Sequence, residues 1–182
     1  MNKYVVKNPS ELSSADVQTI LDSWDIDEWK GMEEDAFKKK FEKSEFHLLT
    51  DTDQKILCIA RLNFHFKIRI HEKDYPVAEL VGFVATEILK GYGRELLILL
   101  MENIKTRNIE AVGFCRNKVS PFYANSGLKI FYYKVKFLRE WRDNQWYIPV
   151  EDDDIISLNL SDEVFSAFES LGEKTHAYLR FE

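Results

Sequence analysis

The sequence predicts an α/β (α+β) domain built on a mixed, mostly antiparallel sheet, and three observations carry that prediction. From Glu45 to Val84 apolar residues recur in short runs separated by polar turns, the mark of strands joined by tight hairpins. From Val77 to Cys115 a strand pattern, a glycine turn, a helical pattern and a second strand pattern follow one another. That order implies one parallel pair joined by a crossover helix. Composition agrees, since 45% of the 182 residues are hydrophobic and 14% aromatic, enough for one sizeable core.

Taken in order, Lys3 to Val6 predicts a short first strand. Asn8-Pro9-Ser10-Glu11 predicts the start of a helix whose inner face holds Leu12, Ala15, Val17, Ile20 and Leu21. Trp24 to Trp29 reads as a polar-aromatic connection. A second helix is expected from Met32 to Lys43, with Ala36, Phe37 and Phe41 inward and Lys38-Lys39-Lys40 in solvent. His47-Leu48-Leu49, Ile56 to Phe64 and Phe66 to Ile70 read as strands, with Asp51 to Gln54 a turn. His71 to Asp74 then forms a hairpin tip that leads into the strand Val77 to Val84.

The helix from Gly91 to Thr106 presents Leu96, Leu97, Leu100 and Ile104 at helical spacing. Ile109 to Cys115 is the next strand, and Phe122 to Ser126 a short helix stopped by Gly127. Ile130 to Leu138 alternates as one long strand, which Asp143-Asn144 turns into Trp146-Tyr147-Ile148. Residues 1–150 thus read as the main domain, and 151–182 as a strand-helix-strand extension packed on it. The extension carries nine acids against two bases, yet keeps enough apolar residues, from Ile155 to Phe181, to be ordered. It covers an acceptor cleft or builds a homodimer.

Charge and cysteine usage exclude several classes. A net charge of −6 argues against a general nucleic-acid binder. No run approaches the ~18 apolar residues of a membrane span, and no long apolar segment follows Met1-Asn2-Lys3-Tyr4 as a secretory leader requires. Cys58 and Cys115 both lie in apolar runs, so buried free thiols of a reducing cytosol are favoured over a disulfide. The expected location is cytoplasmic, with neither nucleic acid nor membrane as partner. His47, His65, His71 and His176 lack metal-ligand spacing, so no metal is expected.

The chemistry-bearing stretch is Lys90-Gly91-Tyr92-Gly93-Arg94. A strand that turns through glycine into a helix start leaves backbone N–H groups aimed at one spot, reinforced by the helix dipole. Glycine lets an anion approach the backbone and takes positive φ without strain. The amides from Leu89 to Arg94 therefore form a candidate phosphate cradle, with Lys90 and Arg94 adding charge. It is not the dinucleotide pattern, because position 96 is Leu, and it lacks the Gly-Lys-Ser/Thr of a P-loop. On the tripeptide alone, a flexible helix start explains it equally well.

Three motifs in order give the stretch from Glu79 to Phe131 its resemblance to the GCN5-related N-acetyltransferase (GNAT) superfamily. Phe83-Val84 followed by Lys90-Gly91-Tyr92-Gly93-Arg94 is similar to that family's acetyl-CoA loop, Gln/Arg-x-x-Gly-x-Gly/Ala. The strand Ile109 to Cys115 is followed by Asn117, and Pro121-Phe122-Tyr123-Ala124-Asn125-Ser126-Gly127-Leu128 looks like its Phe-Tyr-x-x-x-Gly-Phe element. Two positions depart: Ile88 replaces the Gln/Arg of the loop, and Leu128 replaces the last Phe.

The resemblance implies a mixed sheet with helices on both faces, and an acetyl-CoA-dependent N-acetyltransfer by direct attack of a primary amine. It implies acetyl-CoA as co-substrate between the two parallel strands, splayed apart at that site. The diphosphate would lie on Leu89, Lys90, Gly91, Tyr92, Gly93 and Arg94, the thioester carbonyl against Phe83 and Val84, and the pantetheine arm near Asn117. Tyr123 matches the acid that assists the departing thiolate, and Glu79, in Ala78-Glu79-Leu80-Val81, the general base, with Glu87 a second carboxylate nearby. Each has a plainer reading: Tyr123 as core beside Phe122, Glu79 as a solvent-facing or Lys-paired side chain, Asn117 as a turn cap. The acceptor is a small-molecule or protein amine; acids at 22–35 and 151–154 would attract a cationic one, and solubility explains the same charges equally well. The departure at Ile88 keeps open a catalytically silent CoA-binding sensor or interaction module. O-acyl transfer or a longer acyl donor would use the same site.

Overall fold

The computed structural model describes residues 1–142, 144–149 and 154–180. In chain order its elements are β1 (Lys3–Lys7), α1 (Ser14–Trp24), α2 (Glu34–Lys40), β2 (Ser44–Thr50), β3 (Ile56–Asn63), β4 (Lys67–Ile70), β5 (Lys73–Tyr75) and β6 (Ala78–Ala85). They continue with α3 (Tyr92–Thr106), β7 (Ala111–Cys115), α4 (Ser120–Ala124), β8 (Lys129–Phe131), β9 (Leu138–Arg142), β10 (Gln145–Tyr147), β11 (Asp154–Leu158), α5 (Asp162–Glu169) and β12 (Ala177–Arg180). The chain falls into two units, Met1–Asn63 with Leu80–Leu100 and Phe64–Glu79 with Met101–Glu182.

In the first unit the strands lie in the order β1-β2-β3-β6. The helix expected at Asn8 starts later. Pro9–Glu11 makes only a single 3-10 turn, and Ser13 opens α1 by accepting from Asp16 N at 3.1 Å while Asp16 Oδ2 accepts from Ser13 N at 2.9 Å. That reciprocal pair satisfies two of the helix's orphan donors; Asn8 makes a similar pair with Glu11, its N–H donating to Glu11 Oε2 at 2.7 Å, but that pair caps only the 3-10 turn. Val17, Ile20 and Leu21 then fall on one buried face. They pack with Leu12, Phe37, Phe41, Phe46, Leu48, Ile56 and Ile59 into one core, each fully buried aliphatic or ring contributing about 1.5–3 kcal/mol. The second helix is shorter than expected, ending at Lys40.

In the second unit β11 pairs antiparallel with β7 on one side and β8 on the other, and a separate sheet runs β10-β9-β12-β4-β5. Two expectations change here. The run before Val77 does not continue as a meander into β6. His71 and Glu72 both take positive φ, so β4 folds back on the short strand β5 and the pair enters the five-stranded sheet. The single strand expected over Ile130 to Leu138 is two strands in two sheets. After β8, Tyr133 turns at φ 56°, its N–H donating to Asp154 Oδ1 at 2.7 Å, and the chain crosses through a 3-10 turn to β9. Alternation persists through both pieces, which is why the break is invisible in the sequence.

The five-stranded sheet contains a parallel pair, β12 with β9, that the pattern did not predict. The predicted partners β6 and β7 meet at their starts, where Ala78 N donates to Glu110 O at 2.8 Å. Ile68, Ile70, Leu138, Ala177 and Leu179 line the inner face of that sheet and share a core with Phe131, Ile155, Val164 and Phe168. Asp154, expected in an acidic attracting run, is instead fully buried, and its second oxygen accepts from Ser120 Oγ. It ties β11 to the start of α4. Glu151, Asp152 and Asp153 lie outside the described residues, as do Asp143 of the expected turn and Phe181.

Candidate functional site

The cradle is built where β6 ends. Thr86 N donates to Leu57 O at 3.0 Å, and Thr86 Oγ1 donates to the same carbonyl at 3.0 Å, so the loop leaves β6 from a point tied to β3. Leu89 then takes φ 62° and Gly91 φ 80°. At Gly91 an added Cβ would meet open space, so glycine is required there by backbone conformation and not by crowding. The first bond of the helix runs from Glu95 N to Gly91 O at 3.1 Å. The amides of Tyr92, Gly93 and Arg94 precede it, without an intrahelical acceptor, at the positive end of a fifteen-residue helix.

This arrangement fits an anion such as a diphosphate: open space in front of a left-handed glycine, three helix-start amides, and the exposed side chains of Lys90 and Arg94. The apolar rim is equally plain, with Ile88 82% and Leu89 100% exposed. Glu87 is exposed and pairs with Lys55 at 3.5 Å. That pairing fits a surface carboxylate.

Upstream in the same strand lies a feature that sequence reading missed. Gly82 interrupts β6 at φ 64°, and its carbonyl accepts from Trp24 Nε1 at 2.9 Å. The indole lies so close that a Cβ on Gly82 would come within 2.6 Å of it. Trp24 in turn contacts the rings of Trp29, Phe37, Phe41 and Phe46 at centroid distances of 5.5–6.2 Å. Beside it a cavity of about 270 Å³ is lined by Trp24, Trp29, Arg61 and residues 81–84. Arg61 is held over the Phe41 ring at 4.7 Å and donates to Ser44 Oγ at 3.0 Å. The cavity thus reaches the backbone of Phe83 and Val84. A glycine inside a strand pattern was the signal available for it.

In the second unit Glu79 is half-buried on β6 between the buried Ala78 and Leu80. Tyr123 sits on α4, 7% exposed, with its ring edge-on to Phe122 at 5.0 Å. Ser120, which opens α4, is clamped by Asp154, and Cys115 Sγ lies 3.5 Å from its hydroxyl. Asn117 is exposed in the turn before α4, and the capping residue of that helix is Val119. Both cysteines are buried, and burial pushes the Cys58 thiol up to about 12. Among the described residues no helix is long and apolar enough to cross a membrane.

Neither a family model nor a curated protein sequence matches the chain. Solved structures do. The GNAT family N-acetyltransferase YhbS of Escherichia coli, in complex with CoA, superposes with a TM-score of 0.64 over 100% of this chain and 89% of its own, at 12% identity. The catalytic domain of the Tetrahymena GCN5 histone acetyltransferase, in complex with coenzyme A, gives 0.53 over 87% and 92%, at 13% identity. A GNAT family acetyltransferase of Staphylococcus aureus Mu50 gives 0.53 over 88% and 100%, at 16% identity. At such identities the likeness concerns the path of the chain, and on that evidence this chain has the fold of the GNAT superfamily.

Proposed function

We propose that the chain is an acetyl-CoA-dependent N-acetyltransferase. The observation that carries this reading is the amide cradle at Gly91, formed at a strand-to-helix turn of a GNAT fold. The amides of Tyr92 to Arg94 hold the diphosphate of CoA, with Lys90 and Arg94 beside it. Ile88 and Leu89 give apolar contact at the rim. Backbone of Phe83 and Val84 holds the thioester carbonyl and stabilises the oxyanion as the amine attacks. The amine attacks only when deprotonated, and Glu79 serves as its base. Tyr123 gives its proton to the departing thiolate, and Asn117 contacts the pantetheine arm. The cavity beside Phe83 receives the apolar part of the acceptor. No metal is needed for this transfer.

Calorimetry with acetyl-CoA, with thiol release followed over a panel of amines, tests the reading. Micromolar binding with release on at least one amine is expected. Absence of binding would refute it. Tyr123→Phe should lower turnover by about 10²-fold or more with CoA affinity kept. Gly91→Val should act the other way, weakening CoA while leaving the turnover of saturated enzyme.

Ile88 favours a second reading, a CoA-binding module without catalysis. It supplies no polar side chain where the resemblance expects one. Binding without thiol release on any amine would support that alternative.

A further inference from the structure

The five-stranded sheet of the second unit buries one face and exposes the other. Ile68, Ile70, Leu138, Ala177 and Leu179 point into the core, so the residues between them point out. Pairing aligns these outward residues in two rows. Tyr178 stands opposite Arg139 on β9 and Arg69 on β4, and Arg69 stands opposite Asp74. One step further along the same face, Arg180 stands opposite Lys67 and Trp141 opposite Trp146.

The rings are in solvent: Trp141 is 48% and Trp146 42% exposed. Their centroids are 5.0 Å apart, and Trp146 lies 5.0 Å from Tyr178. Among the described residues four bases share this face with one acid, Asp74, which forms a bidentate pair with Arg69 at 2.6 and 2.9 Å. The carboxylate at the hairpin tip, Glu72, is the nearby opposing charge on β4's side. A chain with a net charge of −6 has therefore gathered a positive, ring-bearing patch on one flat surface. The chain-wide sum hides it.

Aromatic faces interleaved with cations suit a partner that alternates planar groups with anionic ones. Single-stranded nucleic acid does so, stacking its bases on rings while phosphates meet Lys and Arg. A duplex hides its base faces and is read by elements that enter a groove, which a flat sheet face lacks. An acidic peptide gives the rings nothing to stack. A membrane surface favours apolar and basic residues in separate zones, not interleaved ones.

We propose that the outer face of the β10-β9-β12-β4-β5 sheet binds single-stranded nucleic acid, with Trp141, Trp146 and Tyr178 stacking bases and Lys67, Arg139 and Arg180 meeting phosphates. This holds whether or not the chain transfers acetyl groups.

The test is fluorescence anisotropy of the full chain with labelled oligouridylate and oligothymidylate of about 12 nucleotides, a length within the range of one binding site. Three phosphate contacts predict an affinity that falls about 20-fold between about 50 and 200 mM salt. Trp146→Ala and Trp141→Ala should each weaken binding about tenfold, and Arg180→Glu should weaken it at least as much. Circular dichroism of each variant confirms that it is folded. Binding of either oligomer with these losses supports the proposal, and the tighter of the two distinguishes RNA from DNA. No binding at the lower salt overturns it, as does binding that the three folded variants leave unchanged. Tighter binding to phosphatidylserine vesicles or polyglutamate than to either oligomer also overturns it, in favour of a membrane or an acidic protein.

Discussion

The two tryptophan clusters of this chain are alike in composition and opposite in placement. Trp24 and Trp29 face inward, Trp24 against Phe37, Phe41 and Phe46 with its N–H spent on Gly82. Trp141 and Trp146 face water and touch one another and Tyr178. The first cluster is fixed by a void of matching shape, a glycine where any side chain would collide. The second is fixed by strand parity, Trp141 falling on the opposite face of β9 from Leu138 and Glu140, which are buried. Ring type therefore says little about role. What the ring stands opposite decides it.

The sharpest way to break this comparison is Gly82→Val. It places a Cβ within 2.6 Å of the indole at a φ of 64°. Overpacking and left-handed strain together predict a loss of about 2–5 kcal/mol, read as a lower guanidinium midpoint. A variant as stable as the parent would mean that Trp24 is not seated against β6.

Trp24→Phe keeps most of the ring contacts and removes the donor to the Gly82 carbonyl. The expected loss is about 1–2 kcal/mol, or a fall in Tm of roughly 2–8 °C for a chain of this length. Trp146→Ala should cost less, about 1 kcal/mol or under, because it removes exposed edge contacts and leaves no buried cavity. If the Trp146 variant lost as much stability as Gly82→Val, the outer cluster would be core by another name.

The same contrast explains what the sequence could tell. The glycine turn and the helix after it were legible because Gly91 and the spacing Leu96, Leu97, Leu100, Ile104 are local signals, fixed by backbone sterics and a 3.6-residue period. Tyr123 and its helix were located by motif, to within two residues. The strand break at Tyr133 was not legible, because its cause is Asp154, some twenty residues away in sequence, accepting the Tyr133 N–H. The pairing of β12 with β9 and β4 was hidden for the same reason: three segments from distant parts of the chain form one sheet. Gly82 gave a local sign, a glycine within a strand, but its partner Trp24 lies fifty-eight residues away. The net charge could not show which bases the strand pairing brings to one sheet face.

The smallest expected effect lies on the outer face itself and is a matter of pH. The Arg69 guanidinium bonded to Asp74 holds that carboxyl below its usual range, with Lys67 and Arg180 adding to the attraction. A carboxyl lowered in the folded state adds stability that is complete above its unfolded pKa, about 3.9. That stability is lost as pH falls through the lower folded value, because the unfolded chain then binds a proton that the folded chain still excludes. Asp74→Asn abolishes this linkage. The denaturation midpoints of parent and variant should therefore differ by a constant amount from pH 5 to 8 and converge below about pH 4. The same substitution removes the acid that pairs with Arg69 on this face, so oligonucleotide affinity at pH 7 should rise slightly. Midpoints that run parallel down to pH 3 would show that the pair does not form. They would leave the Arg69 charge beside Tyr178 uncompensated by Asp74.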